Sequence, residues 1–211
     1  MTGWAVLAAF LVQSTPTGVE APRVTFRTDW GNIRVELDVV QAPVTSCNFL
    51  RYVQAGRMSR GSFFRTVISG TDDNPNPIDV IQAATRYGSD DPGFGPIPLE
   101  RTRDTGLRHV AGTISMARDG PDTATSSFFI VARDSPSLDY GGARNPDGQG
   151  FAAFGRVVSD MGLIRIIQRS RAVDEKLIRP LVFRQVYITG GYSDWCAVDA
   201  DGFITGPKPQ S

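Results

Sequence analysis

The stretch GTISMARDGPDTATSSFFI, residues 112–130, carries the reading of the architecture. Short runs with strand character at 112–117 and 127–132 flank a segment of Asp, Gly, Pro and Thr whose chemistry suits a turn. The same texture spreads outward. Toward the N-terminus Val24 and Phe26 alternate with Thr25 and Arg27, and Ile33, Val35 and Leu37 alternate with Arg34 and Glu36. That period of two marks two half-buried strands, with Asp29-Trp30-Gly31-Asn32 as the hairpin turn between them. Further short strands are expected at 62–67, 79–84, 152–158 and 181–188. Helical spacing occurs twice. Pro43 opens a stretch in which Val44, Cys47, Leu50 and Val53 recur at threes and Gly56 supplies the stop. Near Ser159 a second helix begins, with Leu163, Ile164, Ile166 and Ile167 as its apolar body. Many short strands, Gly- and Pro-rich turns and two helices predict a mainly all-β protein, a barrel with helices plugging its ends.

The chain has 211 residues, with 22 basic against 22 acidic side chains and 41% apolar residues. This is enough for one medium-sized core, and it leaves no global attraction to nucleic acid or anionic lipid. Neither a nucleic-acid partner nor stable membrane insertion is expected. The single histidine, His109, excludes His-clustered zinc sites and reads as a structural loop residue. There is no P-loop, G-x-S-x-G elbow, H-E-x-x-H helix or C-x-x-C pair, so no metal or cofactor is expected. Asp72 and Asp73 lack a spaced set of further ligands and read as part of a solvated turn. Asp199-Ala200-Asp201-Gly202 lacks the downstream glutamate of a calcium loop. A hydrolase built on Ser115 or Ser126 with His109 is a weaker possibility, with no local pattern to support its geometry.

Taken in order, a set of segments resembles the cyclophilin family of peptidyl-prolyl isomerases, over roughly residues 23–188. They are Phe63-Phe64-Arg65-Thr66-Val67, Val80-Ile81-Gln82, the central stretch with Met116-Ala117, Gly120-Pro121, Ser126 and Phe128-Phe129-Ile130, then Leu138-Asp139 and FAAFGRVVSDM at 151–161. The resemblance implies an eight-stranded antiparallel closed barrel capped by two helices. It also implies rotation about the peptide bond before proline, with Arg65 as the catalytic residue and proline-containing polypeptides as substrates. By the same resemblance Phe129 forms the floor of a proline socket, with Leu138, Val80 and Phe151 as walls and Phe64 beside it. Gln82 would hold the peptide backbone or steer Arg65, and Ala117 and Arg118 would line the groove for the residues flanking proline.

Several positions depart from the family pattern. Phe64 replaces a common histidine, and Phe151 replaces a histidine or tyrosine of the rim. Ser127 stands where a glutamine usually reaches the substrate, which weakens the groove and favours the rival reading of a catalytically feeble proline-binding module or chaperone. Arg118 replaces a frequent asparagine and would shift preference toward acidic neighbours. Ser137 stands where drug-sensitive relatives carry tryptophan, so cyclosporin binding is expected to be weak. The segment 67–79 is longer than its counterpart and loses a phenylalanine beside Val80, with Ile78 or Asp79 nearest to its place. The glycine-rich loop 140–150 is expanded and reads as a lid or a surface excursion.

Three regions are expected: an N-terminal segment or signal peptide (1–20), the isomerase domain (21–190) and a tail (191–211). The apolar block Gly3 to Ser14 is too short to span a bilayer and suits an export signal, although no Lys or Arg precedes it. Export, to the periplasm if the source is bacterial, follows from that reading, and a cytoplasmic location follows if the block is not a signal. Cys47 and Cys196 are expected as buried thiols, with pairing in an oxidising space as the alternative. The tail is expected to pack Trp195 onto the barrel, and nothing demands more than a monomer.

Overall fold

The computed structural model describes residues 20–89 and 91–209; the apolar N-terminal block lies outside the described residues. Strands β1 (Arg23–Thr28) and β2 (Gly31–Leu37) form the expected hairpin, followed by helix α1 (Pro43–Gln54). Then come β3 (Ser62–Val67), β4 (Val80–Ala84), the single-turn helix α2 (Thr102–Thr105), β5 (Thr113–Met116) and β6 (Phe128–Val131). A 3-10 turn (Pro136–Leu138) leads to β7 (Ala153–Val157) and helix α3 (Met161–Gln168). Short β8 (Ala172–Val173), β9 (Lys176–Val182), β10 (Gln185–Thr189), β11 (Cys196–Val198) and β12 (Ile204–Pro207) complete the chain. The helices therefore number three among the described residues, one more than expected, because the turn at 102–105 is helical. Among the described residues no helix is long and apolar enough to cross a membrane.

The sheet order is β10-β1-β2-β7-β5-β6-β4-β3-β9-β8, antiparallel throughout. The strand expected at 181–188 is split: it starts at Lys176 and breaks at Phe183-Arg184 into β9 and β10. This break has a use. Phe183 bonds through its backbone to Gly61 and Arg60 beside β3, while the N–H of Arg184 donates to Arg27 of β1. One continuous run thus pairs first with β3 and then with β1, and the ladder returns on itself as eight strands around a ring. Closure removes the sheet edges that would otherwise invite pairing with other chains.

Strand alternation divides the apolar side chains between two clusters. Phe26, Phe63, Phe128 and Phe183 meet inside the barrel, with centroids of Phe26 and Phe183 5.0 Å apart and those of Phe63 and Phe183 5.1 Å apart. Helix α1 plugs one end, setting Phe49 edge-on to Phe128 at 5.2 Å. Its N-cap, Ala42, has no side chain to cap with, and Glu100 fills the role from a distance: its two oxygens accept the N–H of Val44 and Thr45 at 3.0 and 2.8 Å. Asp160 caps α3 through the N–H of Gly162 at 2.8 Å, and Ile164 and Ile167 face inward while Ile166 is exposed. The second cluster, Val67, Ile78, Val80, Phe129, Val131, Leu138 and Phe151, lies on the outer face of the same strands.

The tail joins the main core. Cys196 and Ile204 are buried in it, and Tyr192 and Trp195 pack against it, as expected for Trp195. Gln54 of α1 ties the tail down, accepting from the N–H of Ile204 and donating to Gly202 and to the Tyr192 hydroxyl. Asp199 accepts the N–H of Asp201 and Phe203, shaping the β11–β12 turn. The expectation of two buried thiols is corrected: Cys47 on α1 and Cys196 on β11 form a disulfide. Two residues 149 positions apart come together because α1 presents a buried face to the tail as well as to the barrel. The reading of Asp72 as solvated is corrected too. Its carboxylate is almost fully covered, accepts the N–H of Asn74 and Ile78, and pairs with Arg144. Burial opposes ionisation of Asp72, but those two N–H groups and the Arg144 guanidinium outweigh it and hold the pKa below the ordinary carboxylate range.

Candidate active site

The second cluster is a socket open on one side. In β6 Phe128 and Ile130 point into the barrel, so Phe129 and Val131 must point out of it. The register then places Gln82 beside Phe129 and Arg65 beside Gln82. A bulge between Phe63 and Arg65 shifts β3 against both its neighbours, which turns Arg65 toward this outer face. Phe129 is the floor, set edge-on to Phe151 at 5.5 Å. All ten residues singled out from the sequence, Phe64, Arg65, Val80, Gln82, Ala117, Arg118, Ser127, Phe129, Leu138 and Phe151, line one cleft of about 790 Å³. Ile78 lines it as well and belongs to the socket cluster, so Ile78 rather than Asp79 fills the gap beside Val80. Asp79 turns away to Arg133 and Gln168.

Arg65 is held from two sides. Its Nη1 donates to Gln82 Oε1 at 2.7 Å, while Nε, at 2.9 Å, and Nη2 both donate to Glu175 Oε2. Gln82 therefore steers the arginine, and its own Nε2 donates to Ser127 Oγ at 3.2 Å. The Ser127 hydroxyl in turn donates to the carbonyl of Ala83 at 2.9 Å, so it is spent on the barrel wall. Three of the five guanidinium N–H bonds have partners among the described residues, and one on each Nη has none among them.

Arg118 corrects an expectation. Its side chain is about 1% exposed, stacks over the Phe151 ring at 4.9 Å, donates to the carbonyl of Gly150, and makes two bonds to Asp147, at 2.7 and 2.9 Å. A cation neutralised and buried in this way does not select acidic neighbours; it braces the socket wall. The hydrogen bond from Arg118 and its charge hold the Asp147 pKa below the usual range. Loop 140–150 is thus neither lid nor free excursion. Asp147 fastens it to Arg118, and Arg144 fastens it to Asp72, with Asn76 Nδ2 donating to Ala143 at 3.0 Å. The segment 67–79 and the loop 140–150 dock on each other and build one rim.

Beneath the floor lies an arrangement of which the sequence offers only the pairing of Ser115 with His109, and not Asp139. His109 Nδ1 is 2.8 Å from Asp139 Oδ1 and its Nε2 is 2.9 Å from Ser115 Oγ, and the imidazole stacks on Phe129 at 6.0 Å and 21°. This Asp-His-Ser order resembles a hydrolytic triad, but Ser115 is fully buried and presents nothing to a substrate. It serves as a polar strut that backs the socket floor. Burial of Asp139 opposes its charge, and the hydrogen bond, charge and backbone N–H of His109 outweigh it, so its pKa lies below the ordinary range. Among the described residues no group of three or more His, Cys, Asp or Glu side chains could hold a metal ion.

A barrel that carries an external apolar socket with an anchored guanidinium in the same cleft has the parts of a peptide-binding site. The comparisons agree. The model of the family described as cyclophilin type peptidyl-prolyl cis-trans isomerase/CLD matches residues 23–188, and the chain belongs to that family of enzymes. A peptidyl-prolyl cis-trans isomerase of Streptomyces antibioticus is 32% identical over 181 residues, 79% of this chain and 98% of the relative. Peptidyl-prolyl cis-trans isomerase A of Dickeya dadantii is 39% identical over 141 residues, 65% of this chain and 66% of the relative. The crystal structure of a Cryptosporidium parvum cyclophilin, determined in the presence of the dipeptide Ala-Pro, superposes with a TM-score of 0.62 at 20% identity, covering 80% of this chain and 99% of that one. At that identity it speaks for the fold.

Proposed function

We propose that the protein rotates X-Pro bonds in unfolded or flexible polypeptides, with Arg65 as the catalytic residue and Phe129, Leu138, Val80, Ile78 and Phe151 holding the proline ring. The barrier to this rotation is about 18–20 kcal/mol and comes from amide resonance, so uncatalysed exchange takes tens to hundreds of seconds. No bond is made or broken. When the imide twists, its nitrogen becomes pyramidal and gains a lone pair that can accept a hydrogen bond, while the carbonyl swings round. A guanidinium anchored by Glu175 and Gln82 in the cleft of the socket donates to that region from its two uncommitted N–H bonds and binds the twisted state better than either planar one, which is the differential binding that catalysis needs. Lowering the barrier by about 5 kcal/mol would speed exchange by three to four powers of ten.

The observation that supports this reading is the placement of Arg65 in the same cleft as the Phe129 socket. The reading is tested on a protein whose refolding is limited by proline isomerisation. The wild type accelerates the slow phase and Arg65→Ala does not; equal acceleration by both removes Arg65 from the mechanism. The rival, a proline-binding module with feeble turnover, draws support from Ser127, whose hydroxyl is committed to Ala83. It prevails if a proline peptide binds the wild type without any acceleration. The buried Cys47–Cys196 disulfide favours an oxidising compartment, in keeping with export and, in a bacterium, the periplasm. Ser137 offers no indole to a macrocyclic drug, so cyclosporin binds weakly, and the protein works as a monomer.

A further inference from the structure

We infer that Glu175 is a positioning residue for the isomerisation, an inference that rests on the reading of Arg65 as the catalytic residue. Glu175 lies 110 residues from Arg65, at the tip of the β8–β9 hairpin, and takes both Nε and Nη2 of the guanidinium on one carboxylate oxygen. The hairpin tip is stitched to β3 at this point. The carbonyl of Glu175 accepts the N–H of Thr66 at 2.8 Å, and Lys176 is the register partner of Arg65. The carboxylate is therefore carried on backbone bonded to the strand that carries the arginine.

The backbone of the tip provides a second observation. Asp174 and Glu175 both have positive φ, 46° and 62°, in a two-residue turn where asparagine and glycine are the favoured residues. Local conformation alone disfavours glutamate here, and its contact with Arg65 is what its side chain contributes to the site. Arginine sits on a long stem with much rotamer freedom, and Gln82 reaches only Nη1. Without the carboxylate the guanidinium plane can swing about that single bond, and its remaining N–H groups lose their aim at the imide. Misalignment of this kind reduces the rate more than it reduces substrate binding, because the proline ring is gripped by the socket and not by Arg65.

The variant that separates a positioning role from a merely structural one is Glu175→Gly, which relieves the left-handed backbone while removing the carboxylate. Turnover of an Ala-Pro peptide is expected to fall about tenfold in kcat with KM within about twofold, and thermal stability is not expected to fall with it. Glu175→Gln retains one acceptor and should lie between Glu175→Gly and the wild type. The Arg65 Nε–H resonance, protected by its bond to Glu175, should be visible in the wild type and lost in Glu175→Gly. In an Arg65→Ala background, Glu175→Gly should have no further effect on kcat. Wild-type or faster turnover in Glu175→Gly overturns the inference, as does an equal loss with and without Arg65. If Arg65→Ala alone retains wild-type turnover, the reading of Arg65 fails instead, and the two failures are told apart in one series of four proteins.

Discussion

His109 shows how a single residue can matter to a site without touching the ligand. Its imidazole is buried between Asp139, Ser115 and the ring of Phe129, with both ring nitrogens hydrogen-bonded. Removing it leaves a buried carboxylate and a buried hydroxyl without their partner, a cost of about 2–4 kcal/mol. His109→Ala should accordingly lower the urea midpoint by that equivalent and weaken proline-peptide binding, because Phe129 loses the surface it rests on. An unchanged midpoint in equilibrium unfolding would remove the strut from the account. In the sequence His109 reads as structural and is set beside Ser115 only in the weaker hydrolase reading. Its partners lie 6 and 30 positions away, and nothing in the local pattern ties a loop carboxylate to a loop imidazole.

Most barrel strands and the two longer helices were legible because their cause is local: alternation at Val24–Thr25–Phe26, threes along Cys47, Leu50 and Val53, Pro43 at the first turn and Gly56, with φ of 67°, after the last. What escaped is what depends on meetings between distant elements. Asp72 with Arg144, Asp147 with Arg118 and Glu175 with Arg65 pair across 72, 29 and 110 residues. The sequence reads Asp72 singly as solvated and Arg118 as selective, and it does not single out Glu175. The disulfide belongs to the same class, and it is the strongest link between α1 and the tail hairpin. Closing so long a loop stabilises by about 4–5 kcal/mol in the chain-entropy view. The double variant Cys47→Ala/Cys196→Ala should therefore lose about that much in denaturant unfolding while turning over Ala-Pro peptides at the wild-type rate, since neither cysteine lines the cleft. A stability loss under about 1 kcal/mol would show that the hairpin stays docked on packing alone.

Across the whole molecule the buried carboxylates act together. For Asp72, Asp79, Asp91 and Asp139 burial opposes the charge, yet their guanidinium, imidazole, hydroxyl and N–H partners hold each pKa below its ordinary value. A depressed folded pKa contributes stability that is fully present above the unfolded value, about 4, and is lost as pH falls through the folded value. Tm should stay level from pH 7 down to about pH 5 and drop steeply below pH 4, with Asp139→Asn flattening the acid limb; a Tm that holds to pH 2 would contradict these pairings. Such ties brace the outer wall of the barrel, on which a socket and a single arginine have been assembled. The most direct test of that arrangement is cis–trans exchange of an isotopically labelled Ala-Pro peptide, followed by NMR at substoichiometric protein. Wild-type protein should give rapid exchange, and Arg65→Ala should bind the peptide within about threefold of wild type yet exchange it about 10²–10³-fold more slowly. Equal exchange rates for the two proteins would contradict the account.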